Sequence, residues 1–183
     1  QARVANSGVA VVNATVNSAA GTTRTLALTG NGTKDFYATI GVTDRLLALT
    51  QADGSGALTL RGNTSVDANG ATLNANVTAS GGSGAINLYA FHGISLGASV
   101  QISAAGTGDV LLSAGTDYDS GVPANGTDSG DITMGAGSTI TSQDGAITLQ
   151  APHSVYLTEV NANADNDADR GNIAVTAHFA GVG

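Results

Sequence analysis

The sequence predicts an all-β fold in which short parallel strands stack in successive coils, a β-solenoid with glycine-rich corners. Three observations carry this prediction: a heptapeptide pattern recurs six times, its aliphatic residues lie two positions apart, and helix-forming residues are scarce. Among 183 residues, Glu159 is the single glutamate and Lys34 the single lysine, against 26 glycines. Since glutamate and lysine favour helices and glycine disfavours them, this composition argues against a helical domain.

The repeat consists of a glycine, a small or polar residue, an aliphatic residue, any residue, a second aliphatic residue, any residue and a small residue. Side chains two positions apart point to the same face of a strand, so each copy predicts a strand with one buried face. The leading glycine permits a tight turn, with a positive φ where the turn needs one, and the final small residue allows a bend. The copies span residues 56–62, 84–90, 108–114, 130–136, 145–151 and 171–177.

The spacing of the repeats predicts coils of three short strands. Successive copies begin 22 to 28 residues apart, except for the 15-residue step between Gly130 and Gly145, which is too short for one coil. We therefore predict that Gly145 opens a different face of the coil from Gly130. The aliphatic repeat positions should point inward: Leu58, Leu60, Ile86, Leu88, Val110, Leu112, Ile132, Met134, Ile147, Leu149, Ile173 and Val175.

An all-β sandwich is the alternative architecture, because turn-forming pairs such as Asn31-Gly32 also suit hairpins between antiparallel strands. The repeats, however, keep one polarity and one pattern along the chain. Like sequences stack most simply on one another in parallel, with strands ~4.8 Å apart, so the solenoid is favoured.

The whole chain, 1–183, is predicted to form a single domain, with degenerate coils over 1–55 and regular repeats over 56–183. Neither end shows a capping pattern, although a solenoid needs caps to cover unpaired strand edges. We therefore expect this domain to be part of a longer chain or assembly, with neighbouring repeats or subunits as partners. In the degenerate part, apolar residues alternate with small or polar ones: Val9, Val11, Leu26, Leu28, Ile40, Val42, Leu47 and Leu49.

Charge is spread unevenly along the chain. The net charge is −8, and residues 101–183 hold ten acids against one base, Arg170. Such a surface repels nucleic acid and anionic membranes, and attracts divalent cations or a basic partner. No apolar run of ~18 residues is present, so membrane insertion is not expected. The absence of cysteine excludes a disulfide framework and fits an exported bacterial protein.

The repeat Gly-x-Ile-x-Leu-x-Ala, set in a background rich in threonine and asparagine, resembles the repeats of filamentous haemagglutinin-like exoproteins. The resemblance covers residues 56–177 well and residues 1–55 loosely. It implies a right-handed parallel β-helix that belongs to the shaft of a large secreted adhesin at the bacterial cell surface.

The segment 161–171 is the candidate metal site. Oxygen-bearing side chains fall at alternate positions, and three of them are the carboxylates Asp165, Asp167 and Asp169. Calcium takes six to eight oxygen ligands, so this spacing predicts a calcium site. The alternative is a solvated insertion between coils, with Arg170 as the local counter-charge.

Four aspartates form a candidate catalytic group. Asp117, Asp119, Asp128 and Asp131 hold the carboxylates that glycoside hydrolysis needs, but turn-forming residues separate them, which favours a solvated loop.

The histidines His92, His153 and His178 are far apart in sequence. His92 and His153 each follow a repeat glycine by eight residues, so we expect both on one corner line of the solenoid, exposed rather than ligating zinc.

The sequence is compatible with three functions. The first hypothesis is a structural shaft or display segment of a secreted surface protein or filament. The second is an adhesin-type module that binds a glycan or a cell-surface protein through loops 115–131 and 161–171. The third, a polysaccharide-active enzyme, lacks a catalytic cluster, so we predict that the protein is not an enzyme.

Overall fold

The computed structural model is an all-β parallel solenoid of about six turns, which confirms the predicted fold class. The structure describes residues 2–18, 24–41, 43, 45–52, 56–61, 64–80, 84–115, 130–166 and 168–177. Within these residues no helix is long and apolar enough to cross a membrane.

The strands are short, as the repeat predicts, apart from two that bend around a corner. In chain order they are β1 (Ala2–Ala5), β2 (Ala10–Val12), β3 (Thr25–Thr29), β4 (Lys34–Phe36), β5 (Ala48–Gln51), β6 (Leu58–Arg61), β7 (Thr64–Leu73), β8 (Val77–Ser80), β9 (Ile86–Leu96), β10 (Gln101–Ala104), β11 (Val110–Ala114), β12 (Asp131–Met134), β13 (Thr139–Ser142), β14 (Ile147–Ala151), β15 (Ser154–Tyr156), β16 (Glu159–Asn161) and β17 (Ile173–Ala177).

The strands lie on three faces that run along the solenoid axis. Face A contains β1, β3, β5, the second halves of β7 and β9, β12 and β15. Face B contains β2, β4, β6, β8, β10, β13 and β16, and face C contains the first halves of β7 and β9, then β11, β14 and β17. All of these pairings are parallel, which excludes the antiparallel sandwich for the described residues.

Inward-pointing aliphatic residues stack in columns through the interior. On face C, for example, Leu88, Leu112, Leu149 and Val175 pair in succession. Ten of the twelve residues predicted to point inward are buried. The prediction of a buried position is wrong for Ile173 and Val175, which are 48% and 44% exposed. Both keep the register of the column, but among the described residues no strand covers the far side of β17.

The N-terminal coils follow the same plan, but three of their alternating apolar residues point outward. Val9, Val11 and Leu47 are exposed, whereas their neighbours Val12 and Leu46 pack in or against the core. Because a strand alternates sides with a period of two, a shift of one residue exchanges the two faces. Leu26, Leu28, Ile40 and Leu49 are buried, and Val42 lies outside the described residues.

Glycines of successive coils stack at the corner that precedes face C. A Cβ atom on Gly108 would overlap the carbonyl oxygen of Gly84, and one on Gly145 would overlap that of Gly108. None of the glycines that open the six repeats has a positive φ, so close stacking and not turn conformation requires glycine there. Gly130 precedes β12 on face A, which confirms that it and Gly145 open different faces.

Two polar residues occupy inward positions near the N-terminal end. Lys34 stands between Ala10 and Leu58 in a face B column and has no exposed surface. Gln51 pairs with Leu28 and Leu73 on face A and is only 1% exposed. The periodicity of the sequence did not predict either residue in the core.

Candidate functional site

The predicted calcium segment is a loop that leaves the solenoid between faces B and C. Its base is closed by a hydrogen bond from the Gly171 amide to the Ala162 carbonyl oxygen, at 2.9 Å. Asp165 and Asp169 are exposed on this loop, and Asp167 lies outside the described residues. Across the described ranges, no three His, Asp or Glu side chains are placed to share a metal ion. The calcium site therefore stays a prediction.

Of the four aspartates weighed for catalysis, Asp117, Asp119 and Asp128 lie outside the described residues. Asp131 begins β12 on face A. Its Oδ1 atom lies 2.8 Å from Nδ1 of His153, so the carboxylate is held by an imidazole from the next coil.

His92 and His153 stand on one corner line, as their spacing predicts. Gly130 lies between them: a Cβ on Gly130 would overlap the His92 carbonyl oxygen, and the His153 amide donates to the Gly130 carbonyl oxygen at 3.4 Å. Both histidine side chains are exposed, and His178 lies outside the described residues. This line is the corner between faces C and A.

The exposed His92 ring has an aromatic neighbour at the same corner. Its centroid lies 5.1 Å from that of Phe91 in an edge-to-face arrangement. The guanidinium carbon of Arg45 lies over the Phe91 ring, 5.0 Å from its centroid. The two contacts join Arg45, Phe91 and His92 in one row beside the corner line.

An open groove runs beside this corner along the outside of face A, which we call the corner groove. It has a volume of about 400 Å³, and His92 and Asp131 line it together with three exposed hydroxyl residues, Thr72, Ser95 and Thr133. The three hydroxyl residues belong to consecutive coils and pair directly in register. The groove therefore presents an imidazole, a carboxylate and a row of hydroxyls.

The groove is concave because the outward positions beneath it carry almost no side chain. Gly70 pairs with Gly93 in the next coil, and Ala48 lines the same floor. A Cβ on Gly70 would have no heavy atom nearer than the Gly93 carbonyl oxygen, at 3.9 Å, so there is open space above the strand. In the next coil the position beside Gly93 is occupied by Asp131, whose side chain bounds the groove at that end.

Gly115 and Gly130, which flank the acidic stretch 116–129 in the sequence, meet at this same corner. A Cβ on Gly130 would lie 2.7 Å from the Gly115 amide nitrogen. Gly115 has a φ of +65° and packs on the Pro152 ring, so both conformation and space demand glycine there. Gly115 and Gly130 thus lie next to His92, His153 and the corner groove.

Sequence reasoning missed the corner groove. It assigned binding to the long loops, and it placed His92 and His153 on one corner line without linking them to a binding site. One signal was available: Gly70 and Gly93 are glycines at outward strand positions in adjacent coils, where side chains are normally found. The strand register that joins them to Asp131 was not evident from spacing alone, because insertions make the coils unequal in length.

These features place the chain in the class of parallel β-solenoids, with a polar groove along one corner. No family model, no curated protein and no solved structure matches the chain. The resemblance to filamentous haemagglutinin-like repeats therefore stays an expectation.

Proposed function

We propose that this solenoid is a structural shaft or display segment of a secreted bacterial surface protein or filament. The observation that carries the proposal is the continuity of its interior columns. The face C column passes from β7 through β9, β11 and β14 to β17 without a break in register. Such a stack gains stability with each coil added to its neighbour, which suits a part whose task is to span distance.

The last described coil supports the same proposal. Ile173 and Val175 on β17 are nearly half exposed although they occupy core columns. A neighbouring coil or subunit stacked on β17 would bury both and pair its open edge. The proposed partners are therefore further solenoid repeats or subunits.

The test exploits the fact that a shaft depends on length and not on surface sequence. About six turns at ~4.8 Å each give a span of about 29 Å. In the intact protein on the producing cell, deletion of residues 2–177 should shorten the projection by that amount in electron tomograms. Exchange for an unrelated solenoid of equal turn number should restore both length and display. Loss of display with the exchange as well as with the deletion would refute the shaft.

The second candidate function is an adhesin-type module that binds a glycan or a cell-surface protein. The observation that favours it is the corner groove, which is lined by His92 and by Asp131, whose carboxylate contacts His153. The exchange protein separates the two candidates when adhesion of the cells is measured beside length and display. A shaft keeps adhesion after the exchange, whereas a binding module loses adhesion, because its own surface is needed, although length and display are restored.

A further inference from the structure

We propose that the corner groove binds a neutral, extended oligosaccharide that lies along the solenoid axis. This inference rests on the second candidate function and names its ligand, and it goes beyond the shaft, because a shaft needs no ligand on its side. It rests on four features of the groove: its dimensions, the chemistry of its side chains, the pairing of the strands that form its floor, and the charges that line it.

The dimensions suit a short linear chain. The groove crosses four coils, from Ala48 past Gly70 and Gly93 to Asp131, and three steps of ~4.8 Å give a length of about 14 Å. Its volume of about 400 Å³ is that of an open surface depression, so a bound chain would keep one side in solvent. The coil spacing is close to the length of one hexose in an extended chain, so successive sugars would meet equivalent side chains.

The side chains suit a polyhydroxylated ligand. Thr72, Ser95 and Thr133 are exposed, and each hydroxyl both donates and accepts hydrogen bonds, as sugar hydroxyls do. Asp131 accepts hydrogen bonds, and its contact with His153 fixes the direction of the carboxylate. His92 adds an aromatic face against which the C–H groups of a sugar ring can pack.

The strands beneath the groove exclude recognition of a peptide by strand addition. That mode needs an unpaired strand edge, whereas β9 is paired on both sides and β12 is paired with both β9 and β15. A peptide would have to be recognised through its side chains, and the groove has no deep apolar pocket for one.

The charges of the groove favour a neutral ligand over an anionic one. None of the described residues that line it is Lys or Arg, and Asp131 is an acid. Asp131 stands at one end of the groove, where its carboxylate would repel a uronic acid or a sulfated glycan. A neutral saccharide needs no cationic partner and is not repelled by Asp131.

The test uses Gly70→Leu, which fills the groove without a backbone clash, because open space lies above the Gly70 Cα. The matched control is Gly8→Leu, since a Cβ on Gly8 also meets nothing within 4 Å and Gly8 lies outside the groove. The probes are cellohexaose, laminarihexaose and the N-acetylglucosamine hexamer, with an oligogalacturonate as the anionic comparison. Calorimetry gives affinities, and amide NMR shifts of Gly93 and Ser95 locate the bound sugar.

We expect one or more of the neutral hexasaccharides to bind and to shift the Gly93 and Ser95 signals. Gly70→Leu should weaken this binding about tenfold or more, and Asp131→Asn should weaken it about tenfold by replacing a charge-assisted hydrogen bond. Gly8→Leu should bind as wild type, and thermal melts should show that all variants fold.

Three results would overturn the proposal: no wild-type binding of any neutral probe, equal affinity in Gly70→Leu, or tighter binding of the oligogalacturonate. None of them affects the shaft, whose test depends on length alone.

Discussion

Replacement of Lys34 by methionine should stabilise this protein. Lys34 is fully buried in a face B column between Ala10 and Leu58. Its Nζ donates a hydrogen bond to the Gly30 carbonyl oxygen. Burial lowers the pKa of Lys34 from its ordinary value of 10.5, because desolvation disfavours the ammonium form.

The structure limits what the substitution would cost. The Gly30 carbonyl oxygen also accepts a hydrogen bond from the Gly56 amide at 3.0 Å, so it keeps a partner when the lysine is removed. Methionine has a similar length and a flexible apolar chain that fits an aliphatic column. Since removing a buried charge in this way relieves its desolvation, we expect a gain of about 1–3 kcal/mol at pH 7.

The effect should also depend on pH, with a definite sign. Below the lowered pKa, Lys34 is charged in both the folded and unfolded states, and the full cost of burial is present. Between that pKa and 10.5 the unfolded chain binds more protons than the folded one, so wild-type stability rises with pH. The advantage of Lys34→Met should therefore shrink as the pH approaches 10.5.

Thermal melts of both proteins between pH 7 and pH 10.5 measure this directly. A gain of 1 kcal/mol corresponds to about 2–4 °C in Tm for a chain of this size. The matched control is Arg24→Met, which removes one positive charge from an exposed position and should leave Tm nearly unchanged. An equal or lower Tm for Lys34→Met at pH 7 would refute the reasoning.

Three further predictions concern the core, the glycine stack and the acidic loop. Ile147→Ala should lower the free energy of unfolding in urea by about 2–5 kcal/mol, because it leaves a cavity in a fully buried column. The adjacent Thr148→Ala should lower it little, and similar losses for both variants would contradict the assigned faces. Gly145→Ala should destabilise the protein by about 1–3 kcal/mol, because the added Cβ meets a backbone carbonyl oxygen. Gly70→Ala is the control, since open space surrounds its Cβ, and equal melting temperatures for the two variants would argue against close stacking. Calcium should raise Tm relative to chelator at equal ionic strength, and Asp167→Ala should reduce the rise; identical wild-type melts would leave the loop as solvated surface.

Much of the fold was predictable because a solenoid is built from local rules. Alternating aliphatic residues define a strand with one buried face wherever they occur, and this placed Leu58, Ile86 and Ile147 in the core before any pairing was known. The short step from Gly130 to Gly145 also predicted a change of face, since a coil has a minimum length.

Where the local pattern is weak, the sequence does not determine which face is buried. In residues 9–12, either Val9 and Val11 or Ala10 and Val12 could point inward, because both pairs have the spacing of one strand face. Sequence alone does not decide which pair is buried. Pairing of β2 with β4 decides it by aligning Val12 with Phe36. The same pairing forces Lys34 into the interior, because neighbours in one register must point the same way.

Sequence by itself therefore determined the fold class, the corners and most of the core, since each depends on residues close together in the chain. Only the tertiary structure decided which outward residues meet. His92, Asp131 and His153 come from three successive coils, so they are far apart in sequence and adjacent in space. A groove between coils depends on their register, and hydrogen bonds between neighbouring strands set that register, so no local pattern could reveal it.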